Sequence, residues 1–124
     1  QSLMDLTVLC VDDESLILDG MRALLEHWGC RVHTAQTIVS ARDIFEQVPI
    51  QVVLADYQLK QDITGLELIK DLRRQKPDLK VSLLTAEATP DLSRKALEDG
   101  IMVLRKPADP NAHLIGYLLI QKTI

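Results

Sequence analysis

The stretch VLCVDDES, residues 8–15, sets four apolar residues directly before three acidic ones. An apolar run bounded by polar residues is typical of a buried β-strand, here predicted over residues 6–11. Ending such a strand in Asp12, Asp13 and Glu14 is costly unless the carboxylates reach solvent or a cation, because isolated buried charges are strongly disfavoured. For an isolated Asp-Asp pair the simplest interpretation is a solvated loop, so the rest of the chain has to decide between the two.

The same succession of apolar strand and amphipathic helix continues along the chain. VVLA, residues 52–55, is wholly apolar, as strands covered on both faces of a parallel sheet are. TGLE, residues 64–67, is typical of a capping box that opens a helix. Five β-then-α units indicate a three-layer α/β/α domain with a five-stranded parallel sheet. The other predicted strands are 30–35, 81–85 and 101–104, and the last helix is expected to open at Asp109-Pro110.

The composition fits one domain, expected over residues 4–124. A length of 124 residues, with 47% hydrophobic and 26% charged residues, is ordinary for a globular protein. The net charge of −4 argues against nucleic-acid binding by the domain itself. Cys10 and Cys30 lie in apolar runs without metal-ligand spacing and are interpreted as buried hydrophobic residues. We therefore expect a cytoplasmic domain that makes no contact with a membrane.

Four of the five predicted strands end in a chemically reactive side chain. These are Asp12 with Asp13, then Asp56, Thr85 and Lys106. The carboxyl ends of parallel strands meet at one edge of a sheet, where ligands bind. Three carboxylates so close would repel one another without a cation, and an oxygen-only ligand set favours Mg²⁺. Mg²⁺ beside a carboxylate, a hydroxyl and a lysine is what phosphoryl transfer requires, so the residues predict that chemistry.

These residues also carry a family resemblance over nearly the whole chain. VDDE at 11–14, VVLADY at 52–57, LLTAE at 83–87 and LRKP at 104–107 together resemble the receiver domain of two-component signalling proteins. The resemblance implies a flavodoxin-like sheet with strand order 2-1-3-4-5. It also implies that a histidine kinase or a histidine phosphotransfer domain is the partner, with a homodimer as a further option.

The resemblance implies a role for each site residue. Asp56 would be the phosphoacceptor, and Mg²⁺ would be held by Asp13 directly, by Asp12 mostly through water, by Asp56 and by the backbone carbonyl of Gln58. Such a domain catalyses phosphoryl transfer to and loss from its own aspartate, rather than acting as a stand-alone enzyme.

The remaining implied roles concern the phosphoryl group itself. Thr85 would hydrogen-bond a phosphoryl oxygen, Lys106 would pair with another, and Ala86 would leave space beside them. Gln58 and Glu87 would flank the path of the attacking water and tune the lifetime of the phosphoryl group.

The sequence departs from the common receiver pattern in two places. Val103 stands where an aromatic switch residue is frequent, three positions before Lys106. The loop QLKQDITG, residues 58–65, lacks the frequent Met-Pro pair and looks slightly extended. DYQL, TGLELI and VLRKPADP are similar to receivers fused to hybrid sensor histidine kinases, which makes such a kinase the expected parent protein.

Two other classes of protein compete with this interpretation. One is a receiver-like interaction module that works without phosphorylation; lost site residues would be its signature, and all are present in the sequence. The other is a phosphatase of the haloacid dehalogenase type, which needs a second acid two residues after its nucleophile. Asp56 is followed by Tyr57 and Gln58, which disfavours this enzyme.

Overall fold

The computed structural model describes residues 6–86 and 89–105, which fold around one parallel sheet. The strand order is β2-β1-β3-β4-β5, so the predicted flavodoxin-like α/β/α fold is confirmed. The strands are β1 (Thr7–Val11), β2 (Arg31–Ala35), β3 (Val52–Asp56), β4 (Lys80–Thr85) and β5 (Met102–Arg105). Four helices lie within these residues: α1 (Ser15–His27), α2 (Ile38–Gln47), α3 (Gly65–Gln75) and α4 (Pro90–Glu98). The helix predicted to open at Asp109-Pro110 lies outside the described residues.

The sheet separates two apolar cores because successive residues of a strand face opposite sides. In β1, Leu9 and Val11 belong to one core, and Val8 and Cys10 belong to the other. The first core packs against α2, α3 and α4, and the second against α1. Every residue of β1 and β3 is buried, which explains why their sequences, apart from Thr7 and Asp56 at their ends, are continuously apolar rather than alternating.

Threonine side chains fix where three of the helices begin. The Thr37 hydroxyl accepts a hydrogen bond from the backbone N–H of Ser40 at the start of α2. The Thr89 hydroxyl likewise accepts from a backbone N–H in the first turn of α4, and Pro90 follows it at the first helical position. At α3, Thr64 and Glu67 exchange side-chain to backbone hydrogen bonds, each 3.2 Å long. The predicted capping box is therefore confirmed.

Three predicted strand starts, at Leu6, Cys30 and Ile101, were one residue too early, and the last two errors have the same cause. Cys30 and Ile101 were placed in strands, but their backbone N–H groups close the preceding helices, on Leu25 and Ala96, at 2.9 Å each. The residue before each, Gly29 or Gly100, has a positive φ, of 91° and 69°. This left-handed glycine lets the chain turn back and satisfy the last helical carbonyls. The strands therefore begin at Arg31 and Met102.

The capping box gives a test of local stability. Thr64→Ala should lower the free energy of unfolding by about 1 kcal/mol, because the first turn of α3 loses the acceptor for an N–H group. Urea denaturation of the parent and the variant measures this difference. Ser93→Ala, at an exposed position inside α4, is the control and should leave stability unchanged or slightly raised. Equal stability of the two variants would contradict the prediction.

Candidate functional site

Three aspartates meet where β1 and β3 end side by side. The strands pair in parallel, with Val11 opposite Ala55, so the next residues along each strand are Asp12 and Asp56. Asp12, Asp13 and Asp56 each offer a carboxylate oxygen, and these atoms lie within 4.8 Å of one another. We refer to these three residues as the acidic cluster. Asp12 and Asp56 are buried and Asp13 is half-buried, so the cluster lies between the sheet and solvent.

Backbone groups hold the acidic cluster in place. The N–H of Asp12 donates to the Ala35 carbonyl at 3.1 Å, which extends the β1–β2 pairing by one residue. An Asp12 carboxylate oxygen accepts from the Glu14 N–H at 2.9 Å, and an Asp56 carboxylate oxygen accepts from the Gln58 N–H at 3.4 Å. Both aspartates thus bond the backbone two residues on, as Asp does where a chain leaves a strand. Glu14 is exposed and stands outside the cluster.

The cluster has the composition of a site for a hard cation. All its side-chain donors are carboxylate oxygens, which suit Mg²⁺ better than a soft transition metal. Three carboxylates at this distance repel one another, and a divalent cation among them offsets that repulsion. The residues present therefore fit the metal that the sequence predicts.

A cleft of about 370 Å³ opens above the acidic cluster. Asp13 and Asp56 line it on one side, and Thr85 and Ala86 line it at the end of β4. Five predicted site residues, these four and Gln58, therefore border one space, and Asp12 lies buried beside it. Lys106 and Glu87, also predicted here, lie outside the residues that the structure describes.

The first residue of α3 contacts the backbone of Asp56. The Gly65 N–H donates to the Tyr57 carbonyl at 2.9 Å, and a Cβ at Gly65 would overlap the Asp56 carbonyl oxygen. Only glycine allows this close approach of helix to strand end. Two neighbouring residues of the capping-box motif therefore have separate roles. Thr64 fixes the start of α3, and Gly65 fixes the backbone that carries Asp56.

Lys60, in the loop between β3 and α3, was not predicted as a site residue from the sequence. Lys60 lines the cleft, and its Nζ lies 3.8 Å from a carboxylate oxygen of Asp13. Its φ is 54°, the one positive value among the non-glycine residues described. The sequence signal for this turn is the missing Met-Pro pair in residues 58–65. Proline cannot adopt a positive φ, so a loop that lacks it can turn in the left-handed direction.

The thiol of Cys10 takes no part in this chemistry. Cys10 is fully buried in β1, and burial raises the pKa of its thiol to about 12. A thiol with so high a pKa stays protonated and unreactive at neutral pH. This agrees with the interpretation of Cys10 as a buried hydrophobic residue.

The fold and the acidic cleft define the class of protein. The family model for the response regulator receiver domain matches residues 8–115, and the chain belongs to this family. It is 32% identical over 105 residues to the alginate biosynthesis transcriptional regulatory protein AlgB of Pseudomonas putida, covering 84% of this chain and 23% of that protein. It is 31% identical over 108 residues to the photosynthetic apparatus regulatory protein RegA of Rhodovulum sulfidophilum, covering 86% of this chain and 58% of that protein.

Solved structures agree with this membership. The solution structure of the beryllofluoride-activated NtrC4 receiver domain dimer superposes with a TM-score of 0.84 at 27% identity, covering 94% of this chain and 97% of that one. The chain spans only 23% and 58% of the two curated relatives above, so their remaining length has no counterpart in it. Within residues 6–86 and 89–105, no helix has the length and apolar character needed to cross a bilayer.

The contact between Gly65 and Asp56 gives a second test. Gly65→Ala should lower the free energy of unfolding by roughly 1–3 kcal/mol, because the added methyl group meets rigid backbone rather than a side chain that can move. Gly20→Ala is the matched control. A Cβ at Gly20 meets nothing within 4 Å, so this helical substitution should raise stability by about 0.5–1 kcal/mol. Chemical denaturation measures both, and a Gly65→Ala variant as stable as the parent would refute the account of this contact.

Proposed function

We propose that residues 4–124 form a phosphoaccepting receiver domain, in which Asp56 accepts a phosphoryl group from a phosphohistidine of a partner protein. The observation that carries this proposal is the acidic cluster, three carboxylates within 4.8 Å, beside a cleft that also contains Thr85. Phosphoryl transfer needs a nucleophile, a site for a divalent cation and hydrogen-bond donors aimed at the transferred oxygens. In this proposal Asp56 is the nucleophile, the acidic cluster is the cation site and Thr85 is one donor.

The proposed chemistry is a balanced transfer between two side chains. A carboxylate oxygen of Asp56 bonds to phosphorus as the bond from phosphorus to the partner's imidazole nitrogen breaks. The imidazole keeps the electron pair of that bond and takes up a proton. The Thr85 hydroxyl, at the end of β4, donates to a phosphoryl oxygen, and the small side chain of Ala86 leaves room for the group.

Mg²⁺ is the proposed cofactor, in keeping with a family that binds it at an acidic pocket. Asp12, Asp13, Asp56 and the backbone carbonyl of Gln58 would hold it. When bound, it supplies positive charge that offsets the negative charge on the phosphoryl oxygens. Asp12 and Asp13 directly follow β1, which pairs with β3, so they would keep this charge beside the nucleophile.

Three further residues complete the proposal. Lys106 would pair with a phosphoryl oxygen, and Gln58 with Glu87 would set how readily water reaches the phosphoryl group. Lys106 and Glu87 lie outside the described residues, so their roles rest on the sequence resemblance. Gln58 is exposed at the cleft, which supports its part.

The proposed partners are a histidine kinase or a histidine phosphotransfer domain, and a second copy of this chain. NtrC4, a similar receiver domain, was solved as a dimer in its beryllofluoride-activated form, which supports the last of these. We propose no contact of this domain with nucleic acid or membrane. A cytoplasmic location is part of the proposal, supported by the two buried cysteines, which form no disulfide.

Two parent proteins agree with such a domain. The motifs DYQL, TGLELI and VLRKPADP favour a hybrid sensor histidine kinase. The similarity to AlgB, a transcriptional regulatory protein, favours a regulator with a further output region. The coding sequence on either side of this chain distinguishes them, because a kinase core is expected for the first parent and not for the second.

The phosphoacceptor is tested with a small phosphoryl donor. Acetyl phosphate with Mg²⁺ should add one phosphoryl group to the parent chain, detected by intact mass, and Asp56→Asn should add none. Asp62→Asn, at an exposed acid of the neighbouring loop, is the matched control and should be modified like the parent. Full modification of Asp56→Asn would show that another residue is the acceptor.

The metal site is tested by thermal stability. Mg²⁺ at ten times its dissociation constant should stabilise the parent by about 1.4 kcal/mol, because the ion binds only the folded state. Asp13→Asn should lose most of this effect, and Glu14→Gln, its exposed neighbour outside the acidic cluster, should keep it. An equal response from the two variants would mean that the site is elsewhere. A parent without any response would favour the interaction module that works without phosphorylation.

A further inference from the structure

Lys60 adopts a backbone conformation that its neighbours must stabilise. Its φ of 54° is in the left-handed region, which is uncommon for residues other than glycine and costs conformational energy. Lys60 lies between Leu59, which is 1% exposed, and Gln61. The buried leucine anchors the loop between β3 and α3 to the first core on the near side of Lys60.

Gln61 anchors the same loop on the other side. Its Nε2 donates to the carbonyl oxygens of Leu59 and Gln36, at 3.1 and 3.2 Å. Its Oε1 accepts from the backbone N–H of Ile38, the first residue of α2, at 2.8 Å. The bonds to Gln36 and Ile38 therefore hold the loop against the start of α2, and the bond to Leu59 lies within the loop. The left-handed turn at Lys60 is fixed between these two anchors.

The turn directs the Lys60 side chain across the cleft. Its Nζ lies 3.8 Å from a carboxylate oxygen of Asp13, and it lines the same cleft as Asp56. The Asp13 side chain is only 21% exposed, whereas that of Lys60 is 81% exposed. The ammonium group thus approaches a half-buried carboxylate of the acidic cluster from the solvent side.

We propose that Lys60 is a tethered counter-ion of the acidic cluster, which competes with Mg²⁺ for Asp13 and so weakens the apparent binding of the metal. This inference rests on the proposed function, because it assigns Asp13 to the metal site. An ammonium group and a divalent cation repel each other, so Lys60 must withdraw from Asp13 when the ion binds. Lys60 is a positioning residue for the charge of the site and takes no part in the bond-making step.

The size of the effect follows from the exposure of the pair. An ion pair with one partner in solvent is weak and is screened by salt. Removing the positive charge should therefore tighten Mg²⁺ binding by only about two- to fivefold at low ionic strength. The same change should have little effect at about 1 M monovalent salt, where the Debye length is near 3 Å.

Mg²⁺ binding is measured by isothermal titration calorimetry on the chain, with amide chemical shifts as a second readout. Lys60→Gln should lower the dissociation constant about two- to fivefold. Lys60→Arg, which keeps the charge, should bind like the parent. Lys60→Asn is a second neutral variant that tolerates a left-handed backbone, so it separates the charge effect from any strain in the loop.

Lys70→Gln is the matched control for net charge. Lys70 pairs with Asp99 at 3.4 Å and lines a cleft with neither Asp13 nor Asp56, so this variant should leave the dissociation constant unchanged. Neutral variants at Lys60 that bind Mg²⁺ as the parent does, or more weakly, overturn the inference. An equal gain from Lys70→Gln overturns it too, because the effect would then be one of net charge.

Failure of the proposed function gives a different result. If the parent binds Mg²⁺ and Asp13→Asn abolishes binding, the metal site stands, and the Lys60 variants alone decide the inference. If the parent binds no Mg²⁺, or if Asp13→Asn binds like the parent, the assignment of the metal site is wrong and the inference falls with it.

Discussion

Parallel hydrogen bonding between β1 and β3 holds like charges together that would separate in solution. The pairing of Val11 with Ala55 brings Asp12 next to Asp56, and Asp12 is fully buried there. Strand pairing and two apolar cores must outweigh the repulsion and the loss of hydration. A shift of β1 by one residue along β3 would move every side chain of β1 to the opposite face and separate the carboxylates of the acidic cluster. The geometry of the site therefore depends on the register of the sheet.

Much of this arrangement could be predicted from the sequence because the topology is parallel. Once five strands alternate with helices, every carboxyl end falls at one edge of the sheet, so Asp13, Asp56 and Thr85 must be neighbours. The strand starts at Cys30 and Ile101 were wrong because a strand pattern and a helix-closing turn share the same apolar residues. The functional roles of these residues remain predictions, as do Lys106 and Glu87.

The part of the site that could not be predicted depends on contacts distant in sequence. Gln61 bonds Ile38 and Gln36, which are 23 and 25 residues away in the chain. No local sequence pattern predicts either bond, and both are made by the residue that follows Lys60, whose φ is positive. A loop without Met-Pro signals a departure from the family, but only the folded chain shows where its lysine points.

The position of α3 gives the domain a mechanical property. Its first residue, Gly65, contacts the backbone of Asp56, and near its other end Arg73 donates to the Asp99 carbonyl at 2.9 Å, at the end of α4. An α-helix of 11 residues is about 16 Å long and resists compression along its axis. The backbone of Asp56 and the end of α4 are therefore connected through one helix and one hydrogen bond. This connection does not involve the side chain at Val103, where an aromatic ring is frequent in similar domains.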